Sequence, residues 1–568
     1  MILKALYDYY KRMESKLPPY GTEMKEIHYI VVIDKNGHFL RFESKRIDKK
    51  HTAQFCVPKG FKRTSAPKSN ILWDNAKYVF GFDEADKNCH KLFVDIVEDI
   101  SGRCKNDISI QALKKFYQQK SEEIFEAFHK DILWEEISSN LKTSNFSFQL
   151  EGDDFIIAEK DFLFKDYMIS QSTNADEDLT GVCLITGNCG EIVRLTTATP
   201  ILNSQSVASI VGIQKASGYD SYGKEQAYNA PISKEAEFAY STALKTMTGK
   251  DSKNKFTIGQ RMFLFWGSNA DATLSEAESM FCEFMNIDFI KEDDPNENIQ
   301  KVERFFKSIW SGEIKTDLND KFFILGLAPN IGRIAVVYFE ETTLKDFAGK
   351  LLMHFKDMEI IDSRQKEKRR PVCGLFSMLS AVTLGGKASD ASAHLPEAVL
   401  SAMLNGTPYP YQLLTSAIQR ICAENHVSSG RAAIIKAYIN RKYNDSNKLN
   451  AMLDKTNDNC GYLCGRLTAV LEKIQTDAKS GDSIKTRYMT AASATPSAVF
   501  PSMLSLSMHH MDKLSDGARI HFEKLKQEIV EKIPADGFPA HFDLSDQGRF
   551  FVGYYHQRAA LYTPKDNN

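Results

Sequence analysis

Long apolar runs are missing from this sequence. No stretch approaches the roughly 18 uncharged apolar residues that a membrane-crossing helix requires, so a membrane-spanning protein is not expected. An excess of charge is missing too: 72 Lys plus Arg stand against 74 Asp plus Glu, a formal net charge of -2. No global field draws such a molecule onto nucleic acid, and any contact of that kind has to be local. The opening residues alternate apolar positions with Lys4 and Asp8 and lack the basic start, apolar run and small-residue cleavage site of a signal peptide, which predicts a cytoplasmic protein. Ten cysteines are ordinary for 568 residues, and the closest pairs, Cys183 with Cys189 and Cys460 with Cys464, lack the two-residue spacing of a zinc knuckle. Thiols are therefore expected, with no structural metal.

Catalytic signatures are equally sparse. There is no His-Glu-x-x-His, no Gly-x-Ser-x-Gly elbow and no kinase set. His509 and His510 are consecutive on a predicted helix, so they point to different faces and read as one surface and one packed residue. Gly218-Tyr219-Asp220-Ser221-Tyr222-Gly223-Lys224-Glu225 matches the phosphate-binding loop until its last position. There the pattern needs a Ser or Thr hydroxyl for magnesium, and Glu225 sets a carboxylate where phosphate charge would sit. Pro231 follows too closely for the long helix whose N-terminus would face the phosphates. The sequence predicts no catalytic residue, no cofactor and no metal; the competing reading is a nucleotide- or metal-dependent enzyme, an ATPase or nuclease acting on nucleic acid.

What is present is a change of texture along a chain long enough for several cores. Residues 27–33 are rich in β-branched side chains and lead through Asn36-Gly37 into 39–42, a hairpin signature, so the protein is expected to open with sheet. Apolar runs at 182–185, 192–195, 262–266, 322–327 and 334–338 read as further strands, with helices at 110–126 and 234–247 between them. After 344–358, a predicted helix, the strand signal fades. Leu463, Leu467, Val470, Leu471 and Ile474 share one helical face; Ala518, Phe522, Leu525, Ile529 and Ile533 share another, with Ser515 as cap; Phe550, Phe551, Tyr554, Arg558 and Leu561 form a third stripe. The expected fold is α+β: a mixed N-terminal α/β region with antiparallel sheet over 1–345, a helical connecting region over 346–450, and a small helical bundle over 451–568.

Three polar stretches are candidate contact sites. Residues 59–70 hold Lys59, Lys62, Arg63 and Lys68 without an acid, together with Thr64, Ser65, Ser69 and Asn70. Such a set neutralises backbone phosphate while its hydroxyls and amides reach phosphate or base edges, although a solvated loop before Leu72-Trp73 has the same composition. Residues 217–229 carry Ser221, Tyr222, Lys224, Gln226 and Asn229 among glycines. Glycine lets backbone come close to a partner and amides suit minor-groove acceptors; a turn whose amides satisfy its own backbone is the alternative. The basic run 364–370, with Lys366, Lys368, Arg369 and Arg370 against the single acid Glu367, reads as a strand- or guide-contacting segment or as a solvated linker.

Several segments resemble one family. These are the opening Met1-Ile2-Leu3-Lys4-Ala5-Leu6-Tyr7-Asp8-Tyr9-Tyr10, the run Ile71-Leu72-Trp73-Asp74-Asn75-Ala76-Lys77-Tyr78-Val79, Ser221-Tyr222-Gly223-Lys224-Glu225-Gln226, Asn229-Ala230-Pro231 and Leu325-Gly326-Leu327-Ala328-Pro329-Asn330. Near the end Phe538-Pro539-Ala540-His541 and residues 547–558 belong with them. In order and across essentially the whole chain, they resemble the large subunit of the type I-C CRISPR surveillance complex, Cascade. One departure is a clipped stretch between Ser217-Gly218 and Ser221-Tyr222-Gly223, which is longer in that family. The resemblance implies a non-catalytic subunit of an RNA-guided antiviral ribonucleoprotein complex. Its partners would be a guide RNA-bound complex of backbone subunits, a subunit holding the guide 5′ end and small helical subunits, together with target double-stranded DNA and a helicase-nuclease. It would recognise the protospacer-adjacent motif, promote R-loop formation and help recruit that nuclease, leaving sequence choice to RNA pairing. On this reading Lys62, Arg63, Thr64, Ser65 and Lys68 hold phosphate, Asn70, Gln226 and Asn229 contact the groove with Ser221 and Tyr222 beside them, Lys224 serves either role, and Lys485 and Arg487 touch a strand. The resemblance further implies that the tail is made separately from an internal start, for which Met452 is well placed.

Overall fold

The computed structural model describes residues 2–48, 51–61, 67–160, 179–215, 218, 220, 222–286, 295–364, 372–443, 447–481 and 484–563. They divide into two compact units: one holds most of 1–197 with 212–245, and the other holds 198–211 with 246–568. The positions 345 and 450, where composition changes, both fall inside the second unit.

The first unit begins with a helix, Ile2–Arg12, not with sheet. Ala5, Leu6, Tyr9 and Tyr10 are its buried positions, the i, i+3, i+4 spacing of an amphipathic helix, which the alternation of Lys4 and Asp8 disguises. Strands β1 (Thr22–Glu26), β2 (Tyr29–Ile33), β3 (Phe39–Ser44), β4 (Gln54–Pro58), β5 (Trp73–Asn75) and β6 (Asn145–Leu150) follow. β1 pairs with β4, and the others form a sheet in the order β3-β2-β6-β5. The β2–β3 hairpin is present as the Asn-Gly turn predicted: Asp34 Oδ1 accepts from the Asn36 and His38 N–H groups, each at 2.8 Å. Gly37 closes it with a φ of 86°, and a Cβ there would lie 2.5 Å from the Phe116 amide nitrogen. β2 and β6 run parallel, the one pair among the described strands that departs from antiparallel pairing, and the helices between residues 76 and 140 supply the crossover such a pair needs. The predicted helix 110–126 is two, Ile108–Tyr117 and Ser121–His129. Phe42, Phe80, Phe128 and Phe146 pack ring to ring over the sheet at centroid distances of 4.8 to 6.5 Å. β7 (Thr180–Val182) and β8 (Cys189–Glu191) make a separate hairpin that precedes the apolar runs expected as strands, sharing only Val182 with 182–185 and no residue with 192–195, and helix Lys234–Thr248, as far as Lys245, completes the unit.

The second unit is built on an antiparallel meander in the order β12-β11-β10-β9, made of β9 (Lys255–Ile258), β10 (Arg261–Gly267), β11 (Lys321–Asn330) and β12 (Arg333–Thr343). Helices Ala272–Asn286, Pro295–Ser311 and Leu344–Met358 cover it, with Phe347 stacked on Phe322 at 4.5 Å and edge-on to Phe281 at 5.3 Å. From Leu375 onward the described elements are helical. The stripe on helix Cys460–Asp477 is as predicted, with Leu463, Leu467, Val470, Leu471 and Ile474 all fully buried, and Ser515 caps helix Asp516–Val530 by accepting from the Ala518 N–H. One continuous apolar core runs from Phe256 through the meander and the middle helices to Tyr554. The fold is α+β, sheet-bearing at the N-terminal side and helical at the C-terminal side.

Candidate nucleic-acid interface

The first polar loop is pinned at both ends. On its entry side Lys59 Nζ donates to Thr197 Oγ1 at 2.9 Å and the Gly60 N–H to Glu23 Oε1 at 2.9 Å. On its exit side the Asn70 N–H donates to Asp74 Oδ2 at 2.9 Å, and Trp73 Nε1 donates to the Pro58 carbonyl at 2.9 Å. Asn70 Oδ1 ties the two sides by accepting from the Phe61 N–H at 3.0 Å. At 6% exposure, Asn70 is a clasp at the base of the loop and has little surface to offer a groove. Lys68 is exposed. Lys62, Arg63, Thr64 and Ser65 lie outside the described residues.

The second loop is held by its own amides. Asn229 Nδ2 donates to the carbonyls of Lys224 at 2.9 Å and Gln226 at 3.1 Å, the self-satisfying arrangement that competes with groove contact for such a residue. The Gln226 N–H donates to Asp220 Oδ1 at 3.0 Å, and Gln226 Oε1 accepts from the Arg194 guanidinium at 2.5 Å. Tyr222 and Gln226 both sit at positive φ, 53° and 48°, a conformation that costs a side-chain-bearing residue about 1 kcal/mol or more and concentrates at functional loops. Tyr222 is fully exposed. Lys224 is exposed and makes no ion pair with a described residue, whereas Lys215 and Glu225 pair at 3.1 Å. Beyond the loop come a single 3₁₀ turn, Gln226–Asn229, and a helix that starts only at Lys234, so Gly218 to Lys224 does not lead into a helix N-terminus. Ser221 lies outside the described residues.

Arg194 and Thr197 escaped the sequence reading, because nothing in a lone Arg and a lone Thr of an irregular segment announces a role. Arg194 holds the second loop and Thr197 holds Lys59 of the first. They are three residues apart, so the two anchoring points are separated by no more than about 10 Å of backbone. Thr197 is itself fixed by Glu237, whose carboxylate accepts from its N–H at 2.7 Å and its hydroxyl at 3.2 Å.

In the second unit, Lys485 and Arg487 sit on a π-helical turn, Ile484–Tyr488, a backbone form often found at functional positions. The Ile484 N–H is held by Gln475 Oε1 at 2.9 Å. Arg487 is exposed and Lys485 half-buried. Burial, then the charges of Lys485, Arg431 and Arg558 against that of Glu424, hold His426 below the ordinary imidazole range. Of the basic run, Arg364 is engaged with Asp362, its Nε donating at 2.8 Å; Lys366, Lys368, Arg369 and Arg370 lie outside the described residues. Among the described residues no group of three or more His, Cys, Asp or Glu side chains is placed to hold a metal ion, and no helix is long and apolar enough to cross a membrane.

No curated protein matches the chain. A family model does: the CRISPR-associated protein family Cas_Csd1 aligns with residues 6–562. With nearly the whole of the sequence covered, from the first helix to the last, the chain belongs to the Cas_Csd1 family, that of the type I-C Cascade large subunit.

Proposed function

We propose that this Cascade component reads the protospacer-adjacent motif of double-stranded DNA with the two loops of its first unit and starts R-loop formation there. The observation that supports this most is the Arg194 to Thr197 segment, which brings the lysine-rich loop and the Tyr222 loop to anchoring points about 10 Å apart or less, a span comparable to a groove. Lys68 and Lys224, with Lys62, Arg63, Thr64 and Ser65, supply phosphate contacts. Gln226 offers its amide nitrogen while Arg194 holds the oxygen, and Asn70 and Asn229 shape the loops. Tyr222, with Ser221 next to it in sequence, supplies an exposed ring for stacking on a base displaced from the duplex. Motif choice through a minor groove is degenerate, so a relaxed preference follows. Lys485 and Arg487, with the run from Lys366 to Arg370, hold displaced strand or guide by charge alone. The remaining partners are the guide RNA, the backbone subunits, the guide 5′-end subunit, small helical subunits and the helicase-nuclease, which does the cutting; the chain itself works in the cytoplasm without catalysis or cofactor.

The test is binding of target duplex by the reconstituted complex. Lys224→Ala and Tyr222→Ala should each lower affinity for a motif-bearing duplex about tenfold and leave affinity for a motif-less duplex nearly unchanged. Lys485→Ala with Arg487→Ala should weaken both alike and flatten the salt dependence. Unchanged motif-dependent binding in the loop variants sinks the assignment, and magnesium-dependent turnover of ATP or DNA by the isolated chain, lost in Lys224→Ala, would replace it with the enzyme reading.

A further inference from the structure

A cavity of about 550 Å³ opens in the first unit between helix Ile2–Arg12, the β7–β8 hairpin and the first turn of helix Lys234–Thr248. Its walls are tied together by backbone: the Leu184 N–H donates to the Pro231 carbonyl at 2.9 Å and the Val193 N–H to the Ile232 carbonyl at 3.0 Å. Inside, the buried ring of Phe238 meets Tyr10 edge-on at 5.7 Å and Tyr20 at 5.2 Å. Tyr20 is 49% exposed, so an aromatic surface faces the opening.

The charged groups of the lining are Glu14, Glu191 and Glu235 against Lys11 and Lys234, which leaves one negative charge in excess. Both lysines are already committed. Lys11 Nζ lies 3.3 Å from Glu14 Oε1 and 3.1 Å from Glu235 Oε1, and Lys234 Nζ lies 3.2 Å from Glu191 Oε2. Each carboxylate thus spends one oxygen on a lysine and keeps the other without a partner among the described residues, and all three side chains are more than half exposed.

We infer that this cavity is a socket for an arginine side chain presented by a partner protein. A guanidinium is planar and weakly hydrated, so it stacks on an exposed tyrosine while its N–H fork reaches two carboxylates at once. An ammonium can sit over a ring but has no plane to stack flat on it and no rigid fork to bridge two carboxylates. The excess negative charge disfavours phosphate, and the volume suits one or two side chains rather than a folded element.

The experiment titrates the full chain with the peptide acetyl-Gly-Arg-Gly-amide and with its citrulline analogue, which keeps the shape and loses the charge. The arginine peptide should bind at least about fivefold more tightly, and the preference should vanish in the double variant Glu191→Gln, Glu235→Gln, whose exposed positions leave folding intact. Equal binding of the two peptides, or no binding of either, overturns the proposal. In the reconstituted complex, Tyr20→p-benzoylphenylalanine should crosslink to an arginine-bearing segment of another protein subunit; crosslinks to nucleic acid, or only within the same chain, overturn it as well. None of these residues is assigned to motif reading, so the socket and the two-loop reading stand or fall separately.

Discussion

Gly465 of helix Cys460–Asp477 lies against the backbone of Phe550 in helix Leu544–Tyr562: a Cβ built on it would fall inside the carbonyl oxygen of Phe550 and 2.8 Å from the Tyr554 nitrogen. The contact is reciprocal. Gly553 on the second helix presses on Tyr462 of the first, with a built Cβ 3.0 Å from its carbonyl carbon. The two helix axes approach this closely because neither carries a side chain at the crossing. Gly465→Ala has to separate them and disturb the core on both sides, at a cost of roughly 3 kcal/mol or more. Urea unfolding of the full chain should show it as a lower midpoint, while the exposed, uncrowded Gly517→Ala should leave the midpoint nearly unchanged.

Two buried histidines make the second unit acid-sensitive. His354 Nδ1 accepts from the Tyr409 hydroxyl at 2.7 Å and its Nε2–H donates to the Cys373 carbonyl at 2.6 Å. Burial pulls His354 down to about 4 and His556 down to about 3. The unfolded chain takes up these protons near 6.5 and the native chain does not, so stability is full above 6.5 and falls as pH drops towards 4. Each histidine should cost about 2 kcal/mol between pH 7 and pH 5. Imidazole NMR shifts of histidine-labelled protein at pH 5 check this: the rings of His354 and His556 should still be neutral, and charged rings throughout would refute it.

Arg194→Ala removes the charge-assisted bond that fixes Gln226. The fold should survive, because the Arg194 carbonyl still accepts from the Ala227 N–H at 3.2 Å. The complex should bind a motif-bearing duplex about tenfold more weakly, the worth of one hydrogen bond to a charged group. Thr197→Val should act in the same direction through Lys59. Loss of neither preference nor affinity would mean that the tether has no part in recognition.

A tail begun at Met452, which is 61% exposed, keeps the Gly465 crossing and the bonds of the buried Arg466 to Glu528 at 2.9 Å and Gln557 at 3.0 Å. It loses the surface under Gly548, whose built Cβ would touch Ile435 and Ile439. The fragment should therefore be helical yet self-associate or require a partner to cover that face. Intact-mass analysis of the complex expressed from the native gene should find a species matching 452–568; full-length chain alone would sink the idea.

Sequence by itself determined the elements whose pattern is local. β10, β11 and β12 follow from short apolar runs, helix Leu344–Met358 and the stripe from Leu463 to Ile474 follow from a period of 3.6, and the Asp34 to His38 turn and the Ser515 cap follow from residues within four positions of each other. The polar loops were legible as loops, and the family was legible in short motifs. Tertiary structure alone decided the rest. Asn70 turned inward because Phe61 and Asp74 are there to meet it. β2 took a parallel neighbour more than a hundred residues away. Lys59 found Thr197 across 138 positions, and Arg194 found Gln226 across 32. Pairings of that range leave no periodic trace in either partner's surroundings, since which side chain meets which is fixed only when the sheet and helices between them have packed.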